Sequence, residues 1–309
     1  MNTTELVSNI QRVGQISPND PVYNPTEILA EATQALRDRF AAPLIQTRQG
    51  YWLKVATSVT NSLGICYKIP ANTVVQGLEK LEIADPGTSD FRELLILTQP
   101  QATPYVRMTS GSPTHFTLEA DQIRLWPGPN GSYTLRFVFY LQPPELIPFQ
   151  SCRVVGLSPF IDPTTLIVDS DPAALDVPIT AASGFYIQNH NGSHEVAIFS
   201  SAVTSISGAG PTWNINFSSI QGVGIQVGDY VTPAGYSVFP MLPLELHRPL
   251  CDYTAAMIWA SKGDKEKASV LSQKAESGLG RFVEMAVHRV KSKPFVWKRR
   301  DSYLRRRGA

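Results

Sequence analysis

The segment NHNGSHE contains residue types that could bind a transition metal, namely His190, His194 and Glu195. Zinc sites often combine paired histidines with a carboxylate. The segment nevertheless lacks the HExxH pattern that places two histidines on one face of a helix, and its Asn-Gly pair favours a hairpin turn. We therefore expect a turn here and no metal site.

Other sequence motifs that could support binding or catalysis are also incomplete. Asp169 and Asp171 in DSDP could contact a hard cation, but no complete calcium-binding loop follows, so a capped turn is expected. GVG at 222–224 and GLG at 278–280 fit neither a dinucleotide-binding nor a phosphate-binding loop. The sequence contains no GxSxG nucleophile motif. We predict that the protein is not an enzyme and uses no metal or other cofactor.

Composition sets the broad class of protein. The chain has 309 residues with 43% hydrophobic content, enough for one large or two ordinary domains. Only 17% of residues are charged, and the 21 glycines and 24 prolines favour many short strands joined by turns. Three widely spaced cysteines, no signal-peptide pattern and no apolar stretch of bilayer length predict a soluble protein from a reducing compartment, with no membrane partner.

The first helix signals lie near the amino terminus. In NPTEILAEATQALRDRF, Asn24 and Pro25 fit the N-cap and first helical positions, and apolar residues recur at helical intervals. Pro43 is expected to end this helix. A shorter helix is predicted before it, from Thr4 to about Gln11.

Two further helices are predicted after residue 240, where Gly263 breaks the first and Asp264 caps the second. The short connection predicts antiparallel packing, and the apolar stripes have no partner near in sequence except each other. We therefore predict a helical bundle built from residues 1–50 and 241–292. The side chains expected to pack in this bundle are Leu36, Phe40, Leu250, Tyr253, Met257, Leu271, Leu279 and Phe282.

The residues between these helices carry strand signals, so the predicted fold class is α+β. Residues 51–150 predict an antiparallel β region in which LKVATSVT and ICYKIP are joined by a tight turn. Within it, HFTLEADQIRLW predicts a hairpin at Ala120-Asp121, and the chain is expected to turn again through Pro-Gly-Pro-Asn-Gly. Residues 151–240 have few charges and many turn signals, which predicts an inserted all-β domain, a barrel or sandwich.

The end of the chain carries the most pronounced charge pattern. Residues 289–309 contain nine Lys or Arg and one acid, whereas residues 1–288 contain 18 basic and 25 acidic residues, a formal charge of −7. Disordered solvating tails are depleted in aromatic residues, whereas buried protein contacts are enriched in Trp, Tyr and Arg. We predict that residues 293–309 dock on a protein partner through Phe295, Trp297, Lys298, Arg299, Arg300, Tyr303, Leu304, Arg305, Arg306 and Arg307. A phosphate-binding arm and a solvated end are the alternatives.

Several segments resemble the head-to-tail adaptor (connector) proteins of tailed, especially short-tailed, bacteriophages. They are TEILAEATQALRDRFAA, FTLEADQIRLWPGPNGSYTLRFVFYLQPPEL and LPLELHRPLCDYTAAMIWASKGDKEKASVLSQKAESGLGRF. The resemblance covers most of residues 20–145 and 240–290. In the last segment, a Pro–Leu–His start, an aromatic–Ala–Ala helix, a Lys-Gly-Asp break and a helix with Glu-Lys-Ala follow the family's order. Residues 151–240 exceed the minimal adaptor.

The resemblance implies a structural virion protein, made in the host cytoplasm and placed at the head–tail junction. The family forms a homo-oligomeric ring, a dodecamer, with the portal protein above and a tail or nozzle protein below. Genomic DNA passes through the ring without sequence-specific binding, and the carboxy-terminal segment of each subunit grips the portal.

Two other functions remain compatible with the sequence. The protein could be a nucleic-acid-binding virion component whose basic arm contacts packaged DNA. Alternatively, residues 151–240 could be a module that binds carbohydrate through Tyr186, Trp213, Tyr230 or Tyr236, although these aromatic residues fit a protein core better. A hydrolytic role for this segment is not supported, because it has few acids and no evident carboxylate pair.

Overall fold

The structure is a computed structural model. It describes residues 1–47, 52–60, 66–70, 73–97, 110–149, 152–158, 164–180, 184–189, 195–199, 203–208, 210–217 and 225–290. The protein is mixed α+β, with several sheets in which most strand pairs are antiparallel. The predicted fold class is therefore confirmed at this level.

The amino-terminal helices begin at the capping residues that the sequence indicates. Helix α1 (Thr3–Gly14) starts with a capping box, in which Asn2 Oδ1 accepts the backbone N–H of Glu5 at 2.8 Å and the Glu5 side chain accepts that of Asn2. Helix α2 (Pro25–Ala35) follows Asn24, whose Oδ1 accepts the backbone N–H of Glu27 at 3.0 Å. Helix α1 is longer than predicted at both ends.

The prediction that Pro43 ends the helical run is wrong. A π-helical turn spans Leu36–Phe40, and helix α3 (Ala41–Thr47) continues through the proline. The N–H of Ala41 bonds the carbonyl of Leu36, five residues back, so the hydrogen-bond register shifts just before Pro43. Such a shift leaves a position that tolerates a residue without an N–H group.

The carboxy-terminal helices are α4 (Leu244–Ser261) and α5 (Lys265–Val290). Gly263 takes a left-handed φ of 84° between them, and Asp264 Oδ1 accepts the N–H of Lys267 at 3.0 Å, as the break and cap predicted. Helix α4 packs along α5 and also contacts α1 and α2. Helices from the two ends of the chain therefore share one core.

Two sheets follow the amino-terminal helices. One has the strand order β1-β8-β3-β4 and the other β2-β7-β6-β5, and a parallel pair joins β9 to a later strand. The strands are β1 (Leu53–Val59), β2 (Cys66–Lys68), β3 (Thr73–Ala84), β4 (Phe91–Glu93), β5 (Leu95–Ile96), β6 (His115–Glu119), β7 (Gln122–Trp126), β8 (Thr134–Leu141) and β9 (Glu145–Leu146).

The predicted hairpin is present, but at two other predicted turns the flanking strands do not pair with each other. Strands β6 and β7 form the hairpin that turns at Ala120-Asp121, with Ala120 at a φ of 55°. Strands β1 and β2 lie in different sheets, and so do β7 and β8, which the Pro-Gly-Pro-Asn-Gly segment connects. Turn residues predict that the chain reverses, but which sheet receives the next strand depends on distant partners.

Residues 151–240 contribute two more sheets, β10-β11-β15-β14 and β13-β12-β16. Buried residues of both sheets form a single hydrophobic cluster, and the described residues form no closed barrel. The strands are β10 (Val154–Ser158), β11 (Thr165–Val168), β12 (Phe185–Gln188), β13 (Glu195–Phe199), β14 (Val203–Gly208), β15 (Trp213–Phe217), β16 (Tyr230–Pro233) and β17 (Tyr236–Ser237).

The main core joins the helices to the inner faces of the first two sheets. Its buried members include Leu6 of α1, Phe137 of β8, Ile123 of β7 and Leu250 of α4. The cluster of residues 152–231 has its own members, and a third, small cluster around Phe239 lies where β17 pairs with β9. The division into an antiparallel region and an inserted domain stays a prediction.

The glycines of GLG test how closely α4 and α5 pack. A Cβ atom on Gly278 would lie 2.6 Å from Cγ of Pro249 in α4, whereas one on Gly280 would meet no atom within 4 Å. We expect Gly278→Ala to lower the free energy of unfolding by about 1–3 kcal/mol through overpacking. Gly280→Ala should raise it by about 0.5–1 kcal/mol, because alanine favours a helix interior.

Urea unfolding of the two alanine variants measures this difference directly, because the substitution is identical and only the neighbourhood of the glycine changes. Equal shifts in the same direction would show that α4 and α5 do not approach closely at Gly278.

Candidate assembly surfaces

The predicted docking residues 293–309 lie outside the described residues. What the structure describes is the element that leads to them. Helix α5 has 26 residues, a length of about 39 Å, and it ends at Val290, immediately before the basic segment. Its buried face carries Leu271, Leu279 and Phe282, which belong to the main core. Helix α5 is thus attached to the helical core through residues 271–282.

The eight residues predicted to pack in the bundle all lie in or against this core. Six are buried, and the exposed fractions of Tyr253 and Met257 are intermediate. Helix α4 is buried over a broader arc than one stripe, since Ala255 and Ile258 are also fully buried. The six buried residues are Leu36, Phe40, Leu250, Leu271, Leu279 and Phe282.

The π-helical turn connects the amino-terminal helices to both carboxy-terminal helices. The Phe40 ring packs edge-on against Tyr253 of α4, with 6.3 Å between ring centroids. Arg39 donates from Nε to Glu276 Oε1 of α5 at 2.6 Å. A buried aromatic contact and an exposed ion pair therefore hold the same turn from two sides.

A second junction, between the α1–α2 loop and the end of α4, was not predicted from the sequence. Trp259 Nε1 donates to the carbonyl of Gly14 at 2.7 Å, and Lys262 forms an ion pair with Asp20. The Lys262 side chain also lies over the Tyr23 ring, 5.1 Å from its centroid. The hydrogen bond from Lys262 holds the pKa of Asp20 below its usual value. No local pattern signals this junction, because its partners are more than 200 residues apart.

The candidate metal-binding residues that the structure describes form hydrogen bonds to the backbone. His190 and His194 lie outside the described residues, and the side chain of Glu195 is not described. Asp171 Oδ1 caps a short turn by accepting the N–H of Ala173 at 2.9 Å, and Asp169 Oδ1 accepts the N–H of Arg153 at 2.8 Å. The capped turn expected for DSDP is therefore present.

Of the four aromatic residues considered for carbohydrate binding, Tyr186 is buried, and the other three are half-buried and pack against hydrophobic clusters. Tyr186 is 2% exposed, and Trp213 packs against the hydrophobic cluster of residues 152–231. The Tyr230 ring contacts Phe239, with 5.2 Å between centroids, and Tyr236 belongs to the same small cluster. An exposed aromatic platform for sugar rings is not formed by these four residues.

The cysteines are free thiols with different environments. Cys152 and Cys251 are buried, and burial raises the pKa of each thiol to about 12, whereas Cys66 is exposed. His247 precedes Cys251 by one helical turn but donates from Nε2 to the carbonyl of Leu242 at 3.0 Å. The Cys251 thiol is therefore protonated at neutral pH and unsuited to act as a nucleophile.

Within the described ranges, no three potential metal ligands cluster together. The helices described there also lack the combination of length and apolar character that a bilayer-spanning segment requires.

A family model described as the SU10 adaptor protein matches residues 1–162, just over half of the chain. The chain belongs to the SU10 adaptor protein family. The resemblance to phage head-to-tail adaptors is therefore confirmed, and with it the structural role of a virion component. No curated protein matches the chain.

The SU10 adaptor match covers α1–α3, the two sheets of residues 52–149 and strand β10. It ends before most of residues 151–240 and does not reach α4 or α5. The segment 240–290, where the sequence resemblance is most detailed, thus lies outside the matched range. Residues 240–290 nevertheless contact the matched part of the chain, since α4 packs directly on α1 and α2.

Proposed function

We propose that this SU10 adaptor protein forms a ring at the head–tail junction of a phage, with the dodecamer as the expected assembly. The ring joins the portal protein above to a tail or nozzle protein below. Residues 293–309 of each copy dock on the portal, and the genome passes through the bore. The association with a short-tailed phage is part of the proposal.

The observation that carries the proposal is the separation of charge between the body and the end of the chain. The body of residues 1–288 has a formal charge of −7, and the segment that follows α5 is strongly basic and aromatic. Aromatic and Arg side chains are those that dominate buried protein contacts. Because α5 precedes this segment in the chain and packs in the core, ring copies would present their segments together and gain avidity.

The acidic body supports the passage of DNA rather than its retention. Like charges repel, so a negative wall lets a polyanion slide without lasting contacts. The β regions face the tail components in this arrangement, and the helices build the wall of the ring. Head-to-tail contacts between different surfaces of identical copies generate a closed ring when the rotation closes.

Removal of residues 291–309 tests the docking role. We expect the shortened protein to fold, because the described core ends at α5, and to bind purified portal about tenfold more weakly or worse. A matched variant changes Phe295, Trp297 and Tyr303 to alanine and keeps every charge. Its loss of portal binding would identify the aromatic residues as anchors. Portal binding as strong as that of the intact protein, measured by co-sedimentation, would remove the docking role.

The basic segment also supports a second candidate, a phosphate-binding arm that contacts the genome. This function predicts DNA binding that falls steeply with salt, and the charge-retaining aromatic variant would still bind DNA. Portal docking predicts instead that the aromatic variant loses its affinity for the portal. It also predicts that the intact protein has no strong affinity for DNA. Measurement of both affinities for the same three proteins separates the two functions.

A further inference from the structure

Helix α5 carries a stripe of exposed cations beside its buried face, and Lys267 Nζ at one end of the stripe lies 4.1 Å from the centroid of the Trp259 ring of α4. Lys267, Lys274 and Arg281 recur every seven residues and are all exposed, with Val270 and Ser277 between them. Val270 is 49% exposed, although valine favours burial. Within the described part of the chain, Lys274 and Arg281 form no ion pair. We call these five residues the basic stripe.

The surface along the basic stripe is open and shallow. Most of it is bounded only by residues of α5, among them Val270, Lys274, Ser277 and Arg281. A cavity of about 490 Å³ includes Val270 and Lys274 and is bounded on its far side by the end of α1. The three–four spacing of the stripe is the spacing by which one helix packs against another.

A stripe of opposite charge runs along the outer side of α2 and the π-helical turn. Glu27, Glu31, Gln34 and Asp38 follow a four–three–four spacing, and all except the half-buried Glu31 are exposed. None of the three carboxylates forms an ion pair with a described residue. Burial, and then the nearby charge of Glu27, raise the pKa of Glu31. We call these four residues the acidic stripe.

The flank of the acidic stripe adds a further acid. A cavity of about 350 Å³ beside α2 is lined by Gln34, Asp38 and the exposed Glu145. The cation there, Arg37, donates from Nε to the carbonyl of Pro143 at 3.1 Å and pairs with none of these carboxylates at ion-pair distance. The surface around the acidic stripe therefore has a negative balance that the subunit itself does not neutralise.

The two stripes match in spacing as well as in charge. Glu31 and Asp38 are seven residues apart, as are Lys274 and Arg281, and seven helical residues span about 10 Å. Helix α2 packs mainly on α4 and β9, whereas α5 packs mainly on α4 and α3. The π-helical turn that carries Asp38 is joined to α5 by the ion pair of Arg39 with Glu276. The carboxylates of the acidic stripe nevertheless form no ion pair with Lys274 or Arg281 of the same subunit, which favours a partner from outside it.

We propose that the basic stripe of one copy docks on the acidic stripe of the next copy, and that this contact forms the lateral interface of the ring. The inference rests on the proposed ring and specifies which surfaces close it. Each copy offers one surface of each charge, so a row of copies always leaves one of each free. Only closure satisfies every stripe, as in a heterologous ring interface. Charge complementarity also sets the register and excludes contacts between like surfaces.

Charge reversal tests the pairing with the full-length protein. The first variant is Glu31→Lys with Asp38→Lys, and the second is Lys274→Glu with Arg281→Glu. Each variant alone places like charges at every lateral contact, and we expect at least about a tenfold loss of rings counted by negative-stain imaging with purified portal. An equal mixture of the two should recover wild-type ring yield, because an alternating ring makes only complementary contacts.

Matched controls make the same charge changes elsewhere. Lys265→Glu and Glu93→Lys alter exposed residues outside both stripes and should form rings as the wild type does. Recovery in the mixture excludes misfolding as the cause of the losses, since neither variant assembles alone. Native mass spectrometry of the mixed ring should show both variants in equal numbers.

Four results would overturn the inference. Reversed variants that form rings by themselves would show that the stripes do not meet, while the proposed ring would stand. An equal mixture of the two variants that still fails to form rings would also show that the stripes do not meet. Rings from the second variant with weaker binding to DNA would place the basic stripe in the bore. If wild-type copies instead bind the portal singly, without lateral contact, the proposed ring itself fails.

Discussion

Replacing Phe40 with alanine is expected to lower the free energy of unfolding by about 3–5 kcal/mol. Phe40 is 1% exposed and is among the largest fully buried side chains of the described residues. It lies in the π-helical turn and contacts Tyr253 of α4 edge-on. Its removal leaves a cavity where helices from the two ends of the chain meet. Close-packed cores relax only partly into such cavities, so both burial and contacts are lost.

Two control variants distinguish the cavity from a general effect of substitution. Phe40→Leu keeps most of the volume and should cost less than about 1.5 kcal/mol. Val22→Ala removes apolar atoms from a side chain that is 63% exposed, and its effect should stay within about 0.5 kcal/mol. Urea unfolding at constant m-value provides the comparison. A loss below about 1 kcal/mol for Phe40→Ala would mean that the π-helical turn does not contribute to the main cooperative unit.

Helix boundaries were predictable where the capping chemistry is local. Asn24 caps α2 through its own side chain, and Gly263 and Asp264 separate α4 from α5 within two residues. Such signals act over one turn, so the sequence displays them directly. Leu36 and Phe40 were predicted to be buried, but the π-helical turn between them was not, because their four-residue spacing is equally that of an α-helix.

Strand pairing was less predictable, because it is decided by partners far along the chain. Strand β8 lies between β1 and β3, and residues on both of its faces are buried. The Pro-Gly-Pro-Asn-Gly segment predicts a turn after β7, but it does not indicate that the next strand, β8, belongs to a different sheet. The hairpin of β6 and β7 was predictable for the opposite reason, since its partners and its turn are contiguous.

The candidate surfaces show the same contrast. The basic, aromatic end of the chain is evident from composition alone. The acidic and basic stripes were not predicted, because the periodicity of apolar residues does not reveal where charged residues lie on a helix. A signal was available, since Lys267, Lys274 and Arg281 recur at seven-residue intervals. Knowing that they face outward required the burial of Leu271, Leu279 and Phe282 on the other side of α5.

An ion cluster in the first sheet gives a second stability prediction. Glu82 of β3 is 6% exposed and lies directly opposite Arg136 of β8, whose Nε donates to Glu82 Oε2. Lys80 Nζ lies 2.7 Å from Glu82 Oε1, and the Arg136 guanidinium lies 4.0 Å from the centroid of the Phe91 ring. The Arg136 hydrogen bond lowers the pKa of Glu82 against the opposing effect of burial.

Removal of the Arg136 charge should therefore destabilise the protein more than removal of both charges. We expect Arg136→Met to lower the free energy of unfolding at pH 7 by about 3 kcal/mol, because Glu82 then stays buried with Lys80 as its remaining cation. Adding Glu82→Gln should recover most of that loss, since the amide carries no charge to leave unpaired. Urea unfolding of the two single variants and the double variant forms a complete cycle.

The same pair predicts how stability depends on pH. The folded pKa of Glu82 lies below the unfolded value of about 4.3, so the unfolded chain binds the proton more readily. This contribution to stability is complete above the unfolded pKa and is lost as the pH falls through the folded pKa. The stability difference between wild type and Arg136→Met should be constant above the folded pKa of Glu82 in the variant. It should shrink as the pH falls from there towards the lower folded pKa of Glu82 in the wild type, because protonated Glu82 no longer needs a cation. A difference that stays unchanged down to pH 3 would show that the packing of Arg136 on Phe91, and not its charge, accounts for the loss.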